Sequence, residues 1–528
     1  MNKKAIGFLL LAVFLLAFSP AMAQDEGGGG GGTLIGAFDV GPGGAPQIIP
    51  FMDTAGRTWL SKIWSPLISW NEDMSALTPQ LATEWSANED STVWTFNLRE
   101  GVLWHDGEAF TADDVVFSLE LALNPEAATS FPAFSQLDPA DVVSITAIDD
   151  FTVEVTLAEP NPRLPFFMIF AWVLPEHALN DINPADYQNL DWFFTNPIGT
   201  GPFMHDEFVA DQFWALVPNP NYWNGAPRLD RLINRYFEDE TSAVLALESG
   251  EINFTFTSGD IALRLQDEGN YQTFSGPSGV TNYFIFNLRN SAFQDERVRQ
   301  AFLYAIDRQA IAETVLQGTA QVVPCISPFP AMWPDSSELN DYAYNPELAQ
   351  QLLEEAGYDT SGNFEISTYY NNQFHNDALA AQQAFLSQIG VDVTPLAQDV
   401  PTYNSYFYTG EGWDISYRGV GVNVGNFPFA FYEPGGQPTV DGEPLQGELF
   451  PELQEMIDAA RVEADSDVYL SLLQDICQFQ NEHALEGYMW TATRFGTGSN
   501  NLTDFYWFPA AGGGPYEDHA ELWAVSED

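Results

Sequence analysis

His105 and Asp106 are adjacent, and an imidazole beside a carboxylate is the smallest unit that could ligate a metal or serve as a general base. The six histidines, His105, His177, His205, His375, His483 and His519, are scattered without ligand spacing, so no metal centre is expected. Carboxylates are abundant, with 74 Asp and Glu, and a secreted glycoside hydrolase would need two of them about 5–10 Å apart across a cleft. The one adjacent pair with a context, Asp113 and Asp114, follows Thr111 and precedes Val115, Val116 and Leu119. A Thr three residues before an acid at the head of an apolar helical pattern is a capping box, which gives these carboxylates a helix-start role. Cys325 and Cys477 are the only cysteines, and in an oxidising compartment they are either bonded to each other or buried as separate thiols. No spacing around them suggests metal or redox chemistry. No catalytic residue and no cofactor are assigned.

The 74 acids face only 17 Lys and Arg, for a formal net charge of −57. With 17 % charged residues the chain is starved of bases rather than flooded with acids, and its only lysines are Lys3, Lys4 and Lys62. Neutralising phosphates takes clustered cations, so nucleic-acid and anionic-membrane partners are excluded. A hydrophobic fraction of 45 %, with 14 % aromatic, supports a large core, and 528 residues are enough for two or three domains.

Lys3 and Lys4 precede an apolar run over 5–18 and the small-x-small triplet Ala21-Met22-Ala23, the pattern of a cleavable secretory signal over 1–23. Residues 24–32 end in six glycines and read as a flexible tether, and no cysteine near the cleavage site offers a lipid anchor. The expected location is periplasmic or extracellular. Further along, 93–98 alternates as a strand, a helix starts at Asp295 with Val298, Ala301, Phe302, Ala305 and Ile306 on one face, and Asn345-Pro346 caps another that Gly357 closes. An extended run at 364–370, a helical run at 377–389 and a second extended run at 391–396 form a βαβ unit, so the fold class is α/β. Glycine and proline clusters at 276–279 and 496–498 are expected to mark chain crossings between lobes.

The stretches Leu81-Ala82-Thr83-Glu84-Trp85, Trp94 through Gly107 and Thr111 through Ser118 resemble the family 5 extracellular solute-binding proteins, the ligand receptors of ABC importers for peptides, nickel and some oligosaccharides. Gly199-Thr200-Gly201-Pro202-Phe203, Asn219-Pro220-Asn221-Tyr222-Trp223, 246–252, and Arg297-Val298-Arg299-Gln300-Ala301 with Ala305-Ile306-Asp307-Arg308 follow in family order. The resemblance implies a two-lobed, periplasmic-binding-protein-like fold of type II with an extra subdomain in the first lobe. The expected limits are 33–70, 185–275 and 496–528 for the core of lobe I, 71–184 for its extra subdomain and 276–495 for lobe II. Most motif residues, among them Gly101, Gly107, Gly201, Trp94, Phe96 and Phe117, are expected to be architectural.

In peptide-binding relatives, the segment after a Phe/Trp-Asp-hydrophobic strand carries an aspartate that pairs with the peptide ammonium. Here that segment is Trp413-Asp414-Ile415 through Phe427, and Asn423 takes the aspartate's place. A carboxylate bonds an ammonium about twice as strongly as a neutral group does. An amide both donates and accepts, which suits hydroxyls, and Arg418 adds a positive charge nearby. The expected ligand is therefore an oligosaccharide or an oligopeptide. Tyr417 and Phe427, flanking Asn423, and Tyr488 and Trp490, near the return crossing, are expected to line the cleft, with Met52 and Asp53 contributing from the other lobe. The resemblance implies a monomeric, non-enzymatic substrate-binding protein of an ABC importer. It would enclose a small-molecule ligand by hinge closure and deliver it to an ABC permease and ATPase complex. The alternatives are a secreted glycoside hydrolase and a carbohydrate-binding adhesin.

Overall fold

The computed structural model describes residues 31–38, 57–71, 76–127, 129, 137–360, 363–371, 373–407, 413–421, 439–440, 443–444, 450–505 and 519–526. The expected signal segment lies outside the described residues, as does the expected tether up to Gly30. Gly31 and Gly32, expected as the tether's end, belong to the fold. The Gly31 N–H donates to the Arg228 carbonyl at 3.0 Å, and its own carbonyl accepts from Val525 N–H at 2.8 Å. A Cβ on Gly31 would collide with the Arg228 backbone, so it is the missing side chain that lets the chain enter the sheet here.

Among the described residues, an eleven-stranded mixed sheet runs in the order Asp392–Ala397, Asn363–Thr368, Ile415–Gly421, Tyr271–Phe286, Gly487–Ser499, Phe254–Thr257, Thr33–Ala37, Arg231–Arg235, Phe213–Pro218 and Phe203–Val209, with Ala320–Val322 also paired to Gly487–Ser499. The βαβ expectation is met. Asn363–Thr368 and Asp392–Ala397 pair in parallel through the helix Gln373–Gln388 between them. The helix Glu296–Ala305 starts where Asp295 accepts the Arg297 N–H, and Asn345 accepts the Leu348 N–H to start Pro346–Glu355. The class is α/β, as expected.

A separate antiparallel sheet of Ala82–Ala87, Val93–Leu98, Thr152–Leu157 and Val142–Asp149 carries the helix Ala112–Leu123. Along Val93–Leu98, Trp94, Phe96 and Leu98 are buried and the intervening side chains are not, the period-two pattern of a one-sided sheet.

The two long strands tie the molecule together. Tyr271–Pro277 pairs with Thr493–Ser499, the register shifts between Pro277 and Thr281, and Thr281–Phe284 then pairs with Gly487–Thr491. The break falls in the expected Gly/Pro cluster at 276–279. Gly496 and Gly498, by contrast, sit inside regular pairing, opposite Phe256 and Phe254. The residues opposite the break are Thr491–Thr493. The apolar core divides in the same way. One cluster gathers Leu34 to Phe254 with Leu502 to Trp523, and two others gather residues between Tyr283 and Trp490.

Candidate functional site

In open α/β sheets, ligands bind beyond the carboxyl ends of the strands. Ile415–Gly421 runs antiparallel to Tyr271–Phe286 and ends with Gly421 opposite Val280, at the break. From the other side, Phe254–Thr257 runs antiparallel to Gly487–Ser499 and ends with Thr257 opposite Phe495. The parallel neighbours Asn363–Thr368 and Thr33–Ala37 share these directions. Both sets of carboxyl ends therefore point at the crossing of the long strands.

Arg418, on Ile415–Gly421, lies at this end. Its guanidinium carbon is 4.9 Å from the Phe407 ring centroid and 5.9 Å from those of Tyr369 and Tyr403, an aromatic enclosure that favours a cation. The cation acts back on its neighbours. Burial pushes the Tyr403 hydroxyl up to about 12 even though Arg418 pulls it down, and burial drives Tyr283 well above the usual phenol range against the same pull. Tyr403 also hydrogen-bonds the buried Ser416 hydroxyl. Tyr369 follows the strand Asn363–Thr368, while Tyr403 and Phe407 stand four residues apart on the helix Val400–Phe407, and the sequence did not single out either stretch.

The other expected site residues are distributed differently. Tyr417, Tyr488 and Trp490 are 0, 1 and 0 % exposed and packed in the core clusters beside the crossing. The Tyr417 hydroxyl is 3.2 Å from His375 Nδ1, and the Tyr488 hydroxyl donates to Glu486. Strand alternation puts Tyr417 and Arg418 on opposite faces, so of these two neighbours only Arg418 is partly accessible. Met52, Asp53, Asn423 and Phe427 lie outside the described residues. Cys325 and Cys477 are bonded to each other (Cα–Cα 5.5 Å), closing a loop of 152 residues between the segment after Ala320–Val322 and the helix Ser466–Glu482.

The motif histidine has a structural task. His105 Nδ1 accepts the Gly199 N–H at 3.1 Å and its Nε2–H donates to the Gly201 carbonyl at 3.1 Å, which defines the neutral Nε2–H tautomer. Burial pushes its pKa down to about 4. The same two glycines lie against the Ile63 carbonyl, where a Cβ would collide, and Gly201 N–H donates to that carbonyl at 2.8 Å. Asp114, buried at the helix start, accepts from Thr111 N–H, Glu176 N–H and Trp104 Nε1–H, while its burial raises its pKa. Arg299 donates to the carbonyls of Ala484, Phe293, Gln294 and His483, and Arg308 to those of Tyr488 and Asp341. Burial lowers Arg308 to about 10. These motif cations hold backbone together. Among the described residues, no group of three or more His, Cys, Asp or Glu could hold a metal ion.

A mixed sheet with strand ends converging on a double crossing, and an aromatic-lined cation there, is the build of a two-lobed binding protein. Comparison with known proteins makes the class definite. The sequence model of the bacterial extracellular solute-binding proteins, family 5, matches residues 76–441. The chain belongs to that family, the solute-binding components of ABC transporters. It is 36 % identical to the "Putative ABC transporter peptide-binding protein" of Brucella ovis over 532 residues, covering 98 % of each chain. It is 28 % identical to the dipeptide-binding protein of Escherichia coli over 389 residues, covering 69 % of this chain and 70 % of that one. The two-lobed fold matches the ABC transporter substrate binding protein CtaP of Listeria monocytogenes with a TM-score of 0.80 and 22 % identity, covering 94 % and 100 % of the two chains. Among the described residues, no helix is long and apolar enough to cross a membrane.

Proposed function

We propose that this chain is the receptor of an ABC importer for oligopeptides, enclosing the peptide between its lobes and presenting it to a permease. The observation that carries this reading is the end-to-end similarity to the Brucella ovis protein, whose name specifies a peptide ligand. The expected alternative, an oligosaccharide, rested on Asn423 replacing an acid, and neither relative named above supports it. The amide of Asn423 is equally able to accept from a peptide ammonium, at lower strength than a carboxylate would. We take lobe II as 276–495, with the ligand at the convergent strand ends and Arg418 as a contact for a ligand carboxylate or carbonyl. Met52, Asp53, Asn423 and Phe427 are proposed contacts of the same site. Residues 1–23 are proposed as the export signal, which would place the mature chain outside the cytoplasm. Ligand drives closure only by binding the closed state better than the open one. Native mass spectrometry of freshly purified protein tests the reading. Added masses that fragment into amino-acid residues support it, and masses in hexose increments overturn it.

A further inference from the structure

Gly487–Ser499 changes partners at one place, and a second arginine stands there. On the side away from Tyr271–Phe286, its residues Phe495–Gly498 pair with Phe254–Thr257, while Trp490–Ala492 pair with Ala320–Val322. Thr493 and Arg494 fall between these two partners. Phe254–Thr257 continues into Thr33–Ala37 and the rest of that half of the sheet, and Ala320–Val322 falls in the stretch taken as lobe II. The gap therefore lies where one lobe gives way to the other. Thr493 is tied across it, its N–H donating to the Thr319 carbonyl at 2.7 Å.

The two faces of the strand are used differently at this gap. Arg494 and Phe495 are adjacent on a strand and so point to opposite faces. The face of Phe495 is filled, because a Cβ on Gly259 would collide with the Thr319 side chain and crowd the Phe495 ring. On the other face, the Arg494 guanidinium carbon lies 4.2 Å from the Phe256 ring centroid. Phe256 stands opposite Gly496, two residues on from Arg494 and on its face. The other neighbours on that face are small, with Gly276 directly opposite Arg494 and Ala492 two residues before it. Arg494 is half-buried. It is thus a cation on an aromatic floor, among residues with at most a methyl group, at the carboxyl end of Phe254–Thr257 where open α/β sheets bind ligands.

A guanidinium over a ring is held through its face, and its five N–H donors lie in its plane. It can keep contacts with the protein and still offer two parallel N–H groups, the fork that matches a carboxylate. Arg418 stands opposite Tyr283 and Arg494 opposite Gly276, positions roughly 20 Å apart along Tyr271–Phe286 at the usual rise of a strand. The two cations therefore meet different parts of a peptide. We propose that Arg494 is a second ligand contact, which binds an Asp or Glu side chain and makes the receptor selective for acidic oligopeptides. The proposal rests on the oligopeptide reading above. The net charge of −57 does not contradict it, because salt screens distant charges over about 8 Å and leaves a contact pair largely intact.

The test is a competition among peptides. Ligand-stripped wild-type chain and Arg494→Gln are each incubated with an excess of a peptic digest of casein, and the peptides retained through gel filtration are identified by mass spectrometry. The wild type should retain peptides containing Asp or Glu, enriched roughly tenfold over the digest, as one charged hydrogen bond provides. Arg494→Gln should retain peptides without that enrichment. Retained peptides that are not enriched in acids in the wild type, or that stay enriched in the variant, overturn the role of Arg494 and leave the oligopeptide reading standing. A wild-type chain that retains no peptide overturns that reading and this proposal with it. If Arg494→Gln does not fold, Arg494→Lys replaces it; this variant keeps the charge but not the fork, and an enrichment equal to the wild type's overturns the proposal.

Discussion

The surroundings of His105 and those of Arg418 illustrate two ways of using a polar side chain in a molecule poor in bases. His105 is clamped at both ring nitrogens by backbone groups of Gly199 and Gly201, which themselves press on Ile63, so each position there is determined by the others. Arg418 is bounded by the rings of Tyr369, Tyr403 and Phe407 and stands at the convergent strand ends. Cation–π contacts hold a guanidinium with little directional demand. The first region spends its polar groups on rigidity. The second holds a positive group, partly accessible, at the strand ends where the ligand is proposed to bind.

The strongest challenge to this contrast is Gly199→Ala. A Cβ at this position meets the Ile63 carbonyl, and backbone on both sides has no room to give. The expected loss is about 3 kcal/mol or more, at the upper end of overpacking effects, read as a large fall in the urea midpoint or as failure to accumulate folded protein. A change under about 1 kcal/mol would show that the clamp is loose. Arg418→Met should behave in the opposite way. It keeps an apolar stem among the aromatic rings, so stability should change by less than about 1.5 kcal/mol. Affinity for the co-purifying ligand should fall roughly tenfold or more, as expected when one charged hydrogen bond is lost. Isothermal titration of stripped protein provides the measurement. Unchanged affinity would remove Arg418 from the site and make it a second structural cation.

What could be read from sequence divides along the same line. The capping box at Thr111 and Asp114, the βαβ unit and the break near Pro277 were legible because each is a local pattern: a cap three residues wide, a period of 3.6 or 2, or a cluster of residues that interrupts a ladder. The surroundings of Arg418 were not, because the helix that carries Tyr403 and Phe407 meets Tyr369 and Arg418 only through tertiary packing. Proximity in sequence also misled for Tyr417, whose strand neighbour Arg418 faces the other way. Tyr488 and Trp490 lie on Gly487–Ser499 beside the register shift, and nothing in their types indicated that both rings pack inward. Gly496 and Gly498 were read as a chain crossing between lobes, and what the sequence did not reveal is that at Gly498 the missing side chain makes room for Leu502 and the Asn253 carbonyl.

The smallest expected effect is a pH dependence that belongs to the clamp and not to the Arg418 region. His105 is held neutral, its pKa pushed from an ordinary 6.5 down to about 4 by burial, with the nearby Asp106 acting weakly in the other direction. In the unfolded chain the ring takes a proton near pH 6.5, so between about 6.5 and 4 the unfolded state binds more protons than the folded one. The contribution to stability is complete above pH 6.5 and is lost as the pH falls toward 4. His375, stacked on Tyr370 and also pushed down to about 4 by burial, adds a second loss over the same window. Replacing His105 by Gln, which retains a donor and an acceptor, should therefore flatten the fall in thermal midpoint between pH 6.5 and 4 without abolishing it. Arg418→Met should leave that slope as it is. If the Gln variant keeps the wild-type slope, His105 does not titrate on unfolding and the clamp does not hold it neutral.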